Sequence, residues 1–133
     1  MTRRVIGHIV RNGGARPPKL ARVQAFGDGA RLDVPGSPVA VHTPGHSPGH
    51  CVLHVASEGA VFSGDALCGW STATGEPGPI LPPAIYNHST ARARESLQRI
   101  ETIDAQTVYF GHGDPWLGGC AEAVAEARAR DRP

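Results

Sequence analysis

No stretch of these 133 residues approaches the ~18 consecutive apolar residues that a membrane-spanning helix needs, which argues against a membrane protein. Cysteine is scarce. Three cysteines, Cys51, Cys68 and Cys120, form no regular framework, so a secreted disulfide scaffold is excluded and reduced thiols in the cytoplasm are expected. Net charge is nearly absent: 13 Lys and Arg against 12 Asp and Glu leave +1, so no whole-molecule field draws in nucleic acid or an anionic membrane. Aromatic residues make up 5%, and none is interleaved with the early basic residues Arg3, Arg4, Arg11, Arg16, Lys19 and Arg22. That segment reads as a solvated basic stretch and not as a phosphate-binding arm. The opening Arg3–Val10 has a charged-then-apolar order, but the apolar run is short, contains His8 and lacks a cleavage site, so no secretory leader is read.

What is present centres on His42-Thr-Pro-Gly-His46-Ser-Pro-Gly-His50. Three imidazoles four residues apart have helical spacing, but Pro44 and Pro48 would each remove a backbone donor and clash with the preceding turn, and Gly45 and Gly49 favour tight turns. The stretch is therefore a loop. The run Pro38–Val41 leads into it as a strand, and Cys51–Val55 leaves it as another. Two later sites have the same form. Ala60–Ser63 runs into Gly64-Asp65, and Thr107–Phe110 runs into Gly111-His112-Gly113, each a β-prone run ending at a glycine beside a metal-binding residue. Imidazole and carboxylate together suit zinc, iron or manganese, and the ends of three strands in one sheet can meet at a point.

These three motifs, in this order, resemble the later motifs of the metallo-β-lactamase fold hydrolases over most of residues 20–120. The resemblance implies that His46 is the third imidazole on a first metal, Asp65 the carboxylate bridging two metals, and His112 the imidazole on the second. His42 and His50 become supporting residues. It implies a two-zinc centre acting on esters, thioesters, lactones or related bonds of a small-molecule substrate. Members of the family also carry an upstream His-x-His-x-Asp-His cluster, and nothing like it occurs here: the only histidine before His42 is His8, and the first aspartate is Asp28.

The expected fold is thus α+β, half of an αββα sandwich: a mostly antiparallel sheet with two covering helices, in one partial domain spanning 1–133. Within it residues 1–20 are poorly defined, 21–120 bear the motifs, and 120–133 form a terminal helix. Half a sandwich would leave one apolar sheet face bare, so self-association or a complementing chain is expected. With three ligands shared over two metals, neither ion reaches the three protein ligands typical of catalytic zinc, and activity of this chain alone should be weak or nil. A symmetric dimer pooling two sets of His46, Asp65 and His112 would need a two-fold axis through the site itself, an arrangement we consider unfavourable.

In chain order, strand-like runs are expected at Val5–Val10, Ala21–Phe26 and Arg31–Val34, the last two forming a β-meander with turns at Asp28-Gly29, the better hairpin signal, and at Pro35-Gly36. Cys68–Pro83, rich in Gly, Pro, Ser and Thr, is expected to be an irregular connection beside the metal site, with Trp70 and Tyr86 as pocket walls or as residues that pack the loop down. The clearest helix covers Ser89–Ile103, with Ser89 as cap and Ala93, Leu97, Ile100 and Ile103 as its apolar face. A second, Ala-rich helix is expected over Cys120–Arg130. His54 and His88 read as surface positions. Cys51 beside His50 could form a thiol nucleophile with its base, but adjacent strand residues point to opposite faces.

Overall fold

The computed structural model describes residues 22–131 together with Gly7, Val10, Arg11 and Lys19. The strand expected over Val5–Val10 falls mostly outside the described residues, and its two described members, Gly7 and Val10, are helical. Arg3, Arg4, Arg16 and His8 also lie outside them.

Four strands form the main sheet: β1 (Val39–His42), β2 (Cys51–Val55), β3 (Ala60–Gly64) and, after a crossover, β6 (Thr107–Phe110), in the order β1-β2-β3-β6. The first two pairings are antiparallel and the β3–β6 pairing is parallel. A parallel neighbour requires a crossover, and helix α1 (Thr90–Glu101) supplies it. Ser89 caps α1 by accepting from the Arg92 N–H, and the helix buries Ala93, Ser96, Leu97 and Ile100. The second helix, α2 (Gly119–Arg130), buries Cys120, Ala123, Val124 and Ala127. Both helices pack on one face of the sheet, where Val52, Val61 and Val108 are fully buried with Leu97, Ile100 and Val124.

Two expectations are corrected. Cys68–Pro83 is not irregular throughout: β4 (Cys68–Trp70) and β5 (Pro77–Ile80) pair as a small antiparallel sheet. The cause is tertiary. Gly69 has no side chain to keep Phe110 and Asp114 away, its N–H donates to the His112 carbonyl at 2.7 Å, and Arg130 donates to the Pro77 carbonyl at 2.8 Å. Residues 22–27 form no strand and are exposed. The turns expected at Asp28-Gly29 and Pro35-Gly36 are both present, and across the second the backbone bonds Leu32 N to Pro38 O and Ala40 N to Ala30 O lay the preceding segment along β1.

The opposite sheet face is covered only in part. Gly36 lies against Val55, and Ala40 is fully buried. On β3 and β6, however, Phe62 and Tyr109 are 48% and 39% exposed and stack on each other with ring centroids 5.1 Å apart. Among the described residues no helix is long and apolar enough to cross a membrane.

Candidate metal centre

The loop from His42 to His50 is held from every side. The Thr43 N–H donates to the His50 carbonyl at 2.8 Å, closing its base. The Ser96 hydroxyl, on the buried face of α1, donates to the Pro44 carbonyl at 2.7 Å, and the Ser89 N–H donates to the Gly45 carbonyl at 2.9 Å. Gly45 has φ +150°, and a Cβ there would run into the Ala93 backbone, so only glycine lets the loop seat on α1. The strand end is clamped too. Asp28 accepts from the His42 N–H at 2.8 Å and pairs with Arg99 at 2.7 Å, while Arg99 also donates to the His42 carbonyl at 2.8 Å. The His42 N–H, with the Arg99 guanidinium next, holds the Asp28 carboxyl below its ordinary range.

These restraints place His46 beside Asp65, at the turn after β3, and Asp65 beside His112, at the turn after β6. His46 Nε2 lies 3.5 Å from Asp65 Oδ2, and His112 Nε2 lies 3.6 Å from Asp65 Oδ1. Each imidazole thus addresses its own carboxylate oxygen. Of the two supporting histidines, His42 Nε2 contacts the Pro48 carbonyl at 3.0 Å, and His50 Nδ1 contacts Thr43 Oγ1 at 2.9 Å. Burial, with His46 next, holds the His50 imidazole below its ordinary range. His54 Nε2 contacts the Asp104 carbonyl at 3.2 Å, and His88 is exposed.

The donors suit a divalent metal in kind and spacing. Two ligands ~2.1 Å from one ion across a tetrahedral angle stand about 3.4 Å apart, close to both His–Asp separations. Asp65 Oδ1 and His46 Nδ1 are also buried without a hydrogen-bond partner, and a buried carboxylate oxygen with no donor is chemically suited to a cation. The number falls short. Among the described residues no three His, Cys, Asp or Glu groups are arranged around one ion, and each His–Asp pair supplies two ligands where catalytic zinc takes three.

A cleft of about 270 Å³ opens over the three residues and is lined by His46, Asp65 and His112 with Cys68, Trp70, Thr72, Pro82, Pro83 and Tyr86. Trp70 and Tyr86, which the resemblance implied as pocket walls, are both among these lining residues. Sequence reasoning missed Asp28, Arg99 and Ser96. Only Ser96 carried a signal, as a hydroxyl on the apolar face of α1 between Ala93 and Leu97, where it must find a buried partner. Missed too was the thiol of Cys68, which burial pushes up to about 11, with Asp65 adding to the effect.

The model of the metallo-beta-lactamase superfamily matches residues 4–112. The chain belongs to that superfamily. A beta-lactamase-like protein 2 homolog of Caenorhabditis elegans is 33% identical over 108 residues, which are 80% of this chain and 32% of that protein. An atrochrysone carboxyl ACP thioesterase of Aspergillus fumigatus is 33% identical over 91 residues, 68% of this chain and 25% of the relative. A hydroxyacylglutathione hydrolase of Rhizobium meliloti is 28% identical over 108 residues, 77% and 36% respectively. This superfamily member therefore spans about a quarter to a third of the length of these curated relatives. Among solved structures, a beta-lactamase domain protein of Burkholderia ambifaria superposes with a TM-score of 0.64 at 26% identity, covering 93% of this chain and 39% of that one. TTHA1623 in a di-iron-bound form superposes at 0.55 with 27% identity, covering 88% and 50%. The α+β half-sandwich expected from the motifs agrees with these superpositions.

Proposed function

We propose that this chain supplies the bridging half of the metal centre of a metallo-beta-lactamase-fold hydrolase that cleaves an ester, thioester, lactone or related bond of a small molecule. The observation that carries this reading is the convergence of His46 and His112 on separate oxygens of Asp65. His46 and Asp65 would hold one ion, Asp65 and His112 the other, with zinc the expected metal. When bound, such ions lower the pKa of a coordinated water towards ~7 and polarise the substrate oxygen. The chain's own residues fix the carboxylate between the imidazoles, and Trp70, Pro82, Pro83 and Tyr86 wall the space where substrate would sit. Among the described residues each ion would find two ligands, so a further donor would be needed to complete either site. The names of the thioesterase and the hydrolase relatives support the reaction class.

A second reading is favoured by the exposed Phe62–Tyr109 stack: a non-catalytic half-domain that associates with itself or with a complementing chain through that face. In either case the cysteines, all free, fit a reducing, cytoplasmic setting, and neither nucleic acid nor a membrane is an expected partner.

The test is the metal content of the chain by mass spectrometry after zinc supplementation and gel filtration, beside a His46→Ala, His112→Ala double variant. Retention near one or two equivalents, lost in the variant, supports the hydrolase reading. Background metal in both leaves the association reading, which the elution volume then checks.

A further inference from the structure

The cleft over Asp65 has walls of an unusual kind for an exposed region. Trp70 and Tyr86 are 41% and 56% exposed, so neither ring is used up in packing the loop down. Yet both are mounted on fixed backbone. Trp70 ends β4, and the turn that follows is tied through Ser71, whose carbonyl accepts from the Gly75 N–H at 2.8 Å and whose N–H donates to the Glu76 carbonyl at 2.8 Å. The Ser71 hydroxyl also accepts from the N–H groups of Ala73 and Thr74. Tyr86 closes a short 3-10 turn in which its N–H donates to the Pro83 carbonyl at 2.9 Å, and the Asn87 side chain donates to the Pro82 carbonyl at 2.9 Å. Pro82 and Pro83, which also line the cleft, lack backbone donors and have fixed φ, which stiffens that part of the lining.

Two exposed rings on rigid supports, with prolines in the same lining, give contact area at little ordering cost, as flat apolar groups require. The charge around them is equally selective. Among the described residues no Lys or Arg lines the cleft. A carboxylate or phosphate on the substrate's far end would be desolvated against apolar walls without a counter-ion.

We propose that this cleft takes esters or thioesters whose acyl or leaving group is uncharged and apolar, gripped between Trp70 and Tyr86, and rejects those that carry an anionic tail. This rests on the hydrolase reading above and narrows its substrate class.

The test uses the full 133-residue chain and two probes that differ only at the far end, 4-phenylbutyramide and its carboxylate analogue 4-(4-carboxyphenyl)butyramide, titrated while the tryptophan indole N–H and tyrosine ring signals are followed by NMR. The chain has two tryptophans, so comparison with Trp70→Ala identifies the Trp70 indole. The neutral amide should shift the Trp70 and Tyr86 signals. Trp70→Ala and Tyr86→Ala should each weaken its binding several-fold, up to about tenfold for a stacked ring. The carboxylate should bind at least about fivefold more weakly than the amide. Equal or tighter binding of the carboxylate, or amide binding unchanged in both variants, would overturn the proposal. Both changes are at exposed rings, and the remaining methyl resonances of the core report directly whether each variant is folded. Because the readout needs neither metal nor turnover, probe binding by a chain without metal would leave only the grip of the two rings on apolar groups standing, while the hydrolase reading and the substrate class that rests on it fall. Metal retention without probe binding does the reverse.

Discussion

The two faces of the main sheet differ in how completely this chain buries them. On one face Val52, Val61 and Val108 are fully buried under α1 and α2. On the other, Phe62 and Tyr109 find mainly each other. The same strands supply both faces, so the difference lies in what the rest of the chain provides. Among the described residues it provides two helices for one side and, for the other, a short irregular segment that reaches Ala40 and Val55. The metal centre repeats the pattern. Asp65 has an imidazole at each of its oxygens, whereas among the described residues each His–Asp pair offers two donors where catalytic zinc takes three.

The largest effects should separate the faces. Leu97→Ala opens a cavity in the packed face and should cost about 2–5 kcal/mol, read as a lower urea midpoint. Phe62→Ser on the open face removes a half-exposed ring and its stack, worth about 0.5–1.5 kcal/mol, and should instead shift gel-filtration elution towards the monomer. Equal destabilisation by the two changes would mean that the open face is covered after all. Next in size is Ser96→Ala. It leaves the Pro44 carbonyl without its donor at a cost of about 1–2 kcal/mol, and should loosen the His46 loop as well as α1. Zinc retention that fell no further than in Leu97→Ala at matched stability would show that Ser96 acts only through the core.

How much of this was legible follows the same division. The loop could be read because Pro44, Gly45, Pro48 and Gly49 forbid a helix locally, and α1 because Ser89 and the Ala93, Leu97, Ile100 spacing act within one turn of each other. The strands before Asp65 and His112 were legible as short β-prone runs that stop at glycine. The β4–β5 pair was not, since Cys-Gly-Trp and Pro-Gly-Pro-Ile have poor strand propensity and pair only because β6 and Arg130 approach them. Nor was the Asp28–Arg99 clamp, whose partners stand 71 residues apart and meet only after the crossover is complete.

That clamp sharpens the comparison by pH. The folded pKa of Asp28 lies below its ordinary 3.8, so its contribution is fully present above that value and is lost as pH falls through the depressed pKa. Asp28→Asn should therefore lower the urea midpoint at pH 6 and narrow the gap from wild type as the pH approaches 3. A gap that stays constant with pH would show that the hydrogen bonds to the His42 N–H and Arg99 do not depend on the charge.

The smallest effect is a rate, and it tests the two faces without any mutation. Cys51 lies at the margin of the open face, opposite His42 in the β1–β2 register, and is partly exposed. Cys120 lies on the buried face of α2, and burial, with Asp104 next, pushes its thiol up to about 11. At pH 8 a group with that pKa is thiolate about one part in a thousand, so iodoacetamide reacts with it slowly while α2 stays seated. Burial also raises the Cys51 thiol, but without comparable enclosure, so Cys51 should alkylate first, with Cys120 following only as sub-denaturing urea is added. Cys120 then reports the opening of the packed face, and Cys51 does not. If both thiols reacted at one rate in native buffer, α2 would not be seated, and the contrast between a finished and an unfinished face would fail at its finished side.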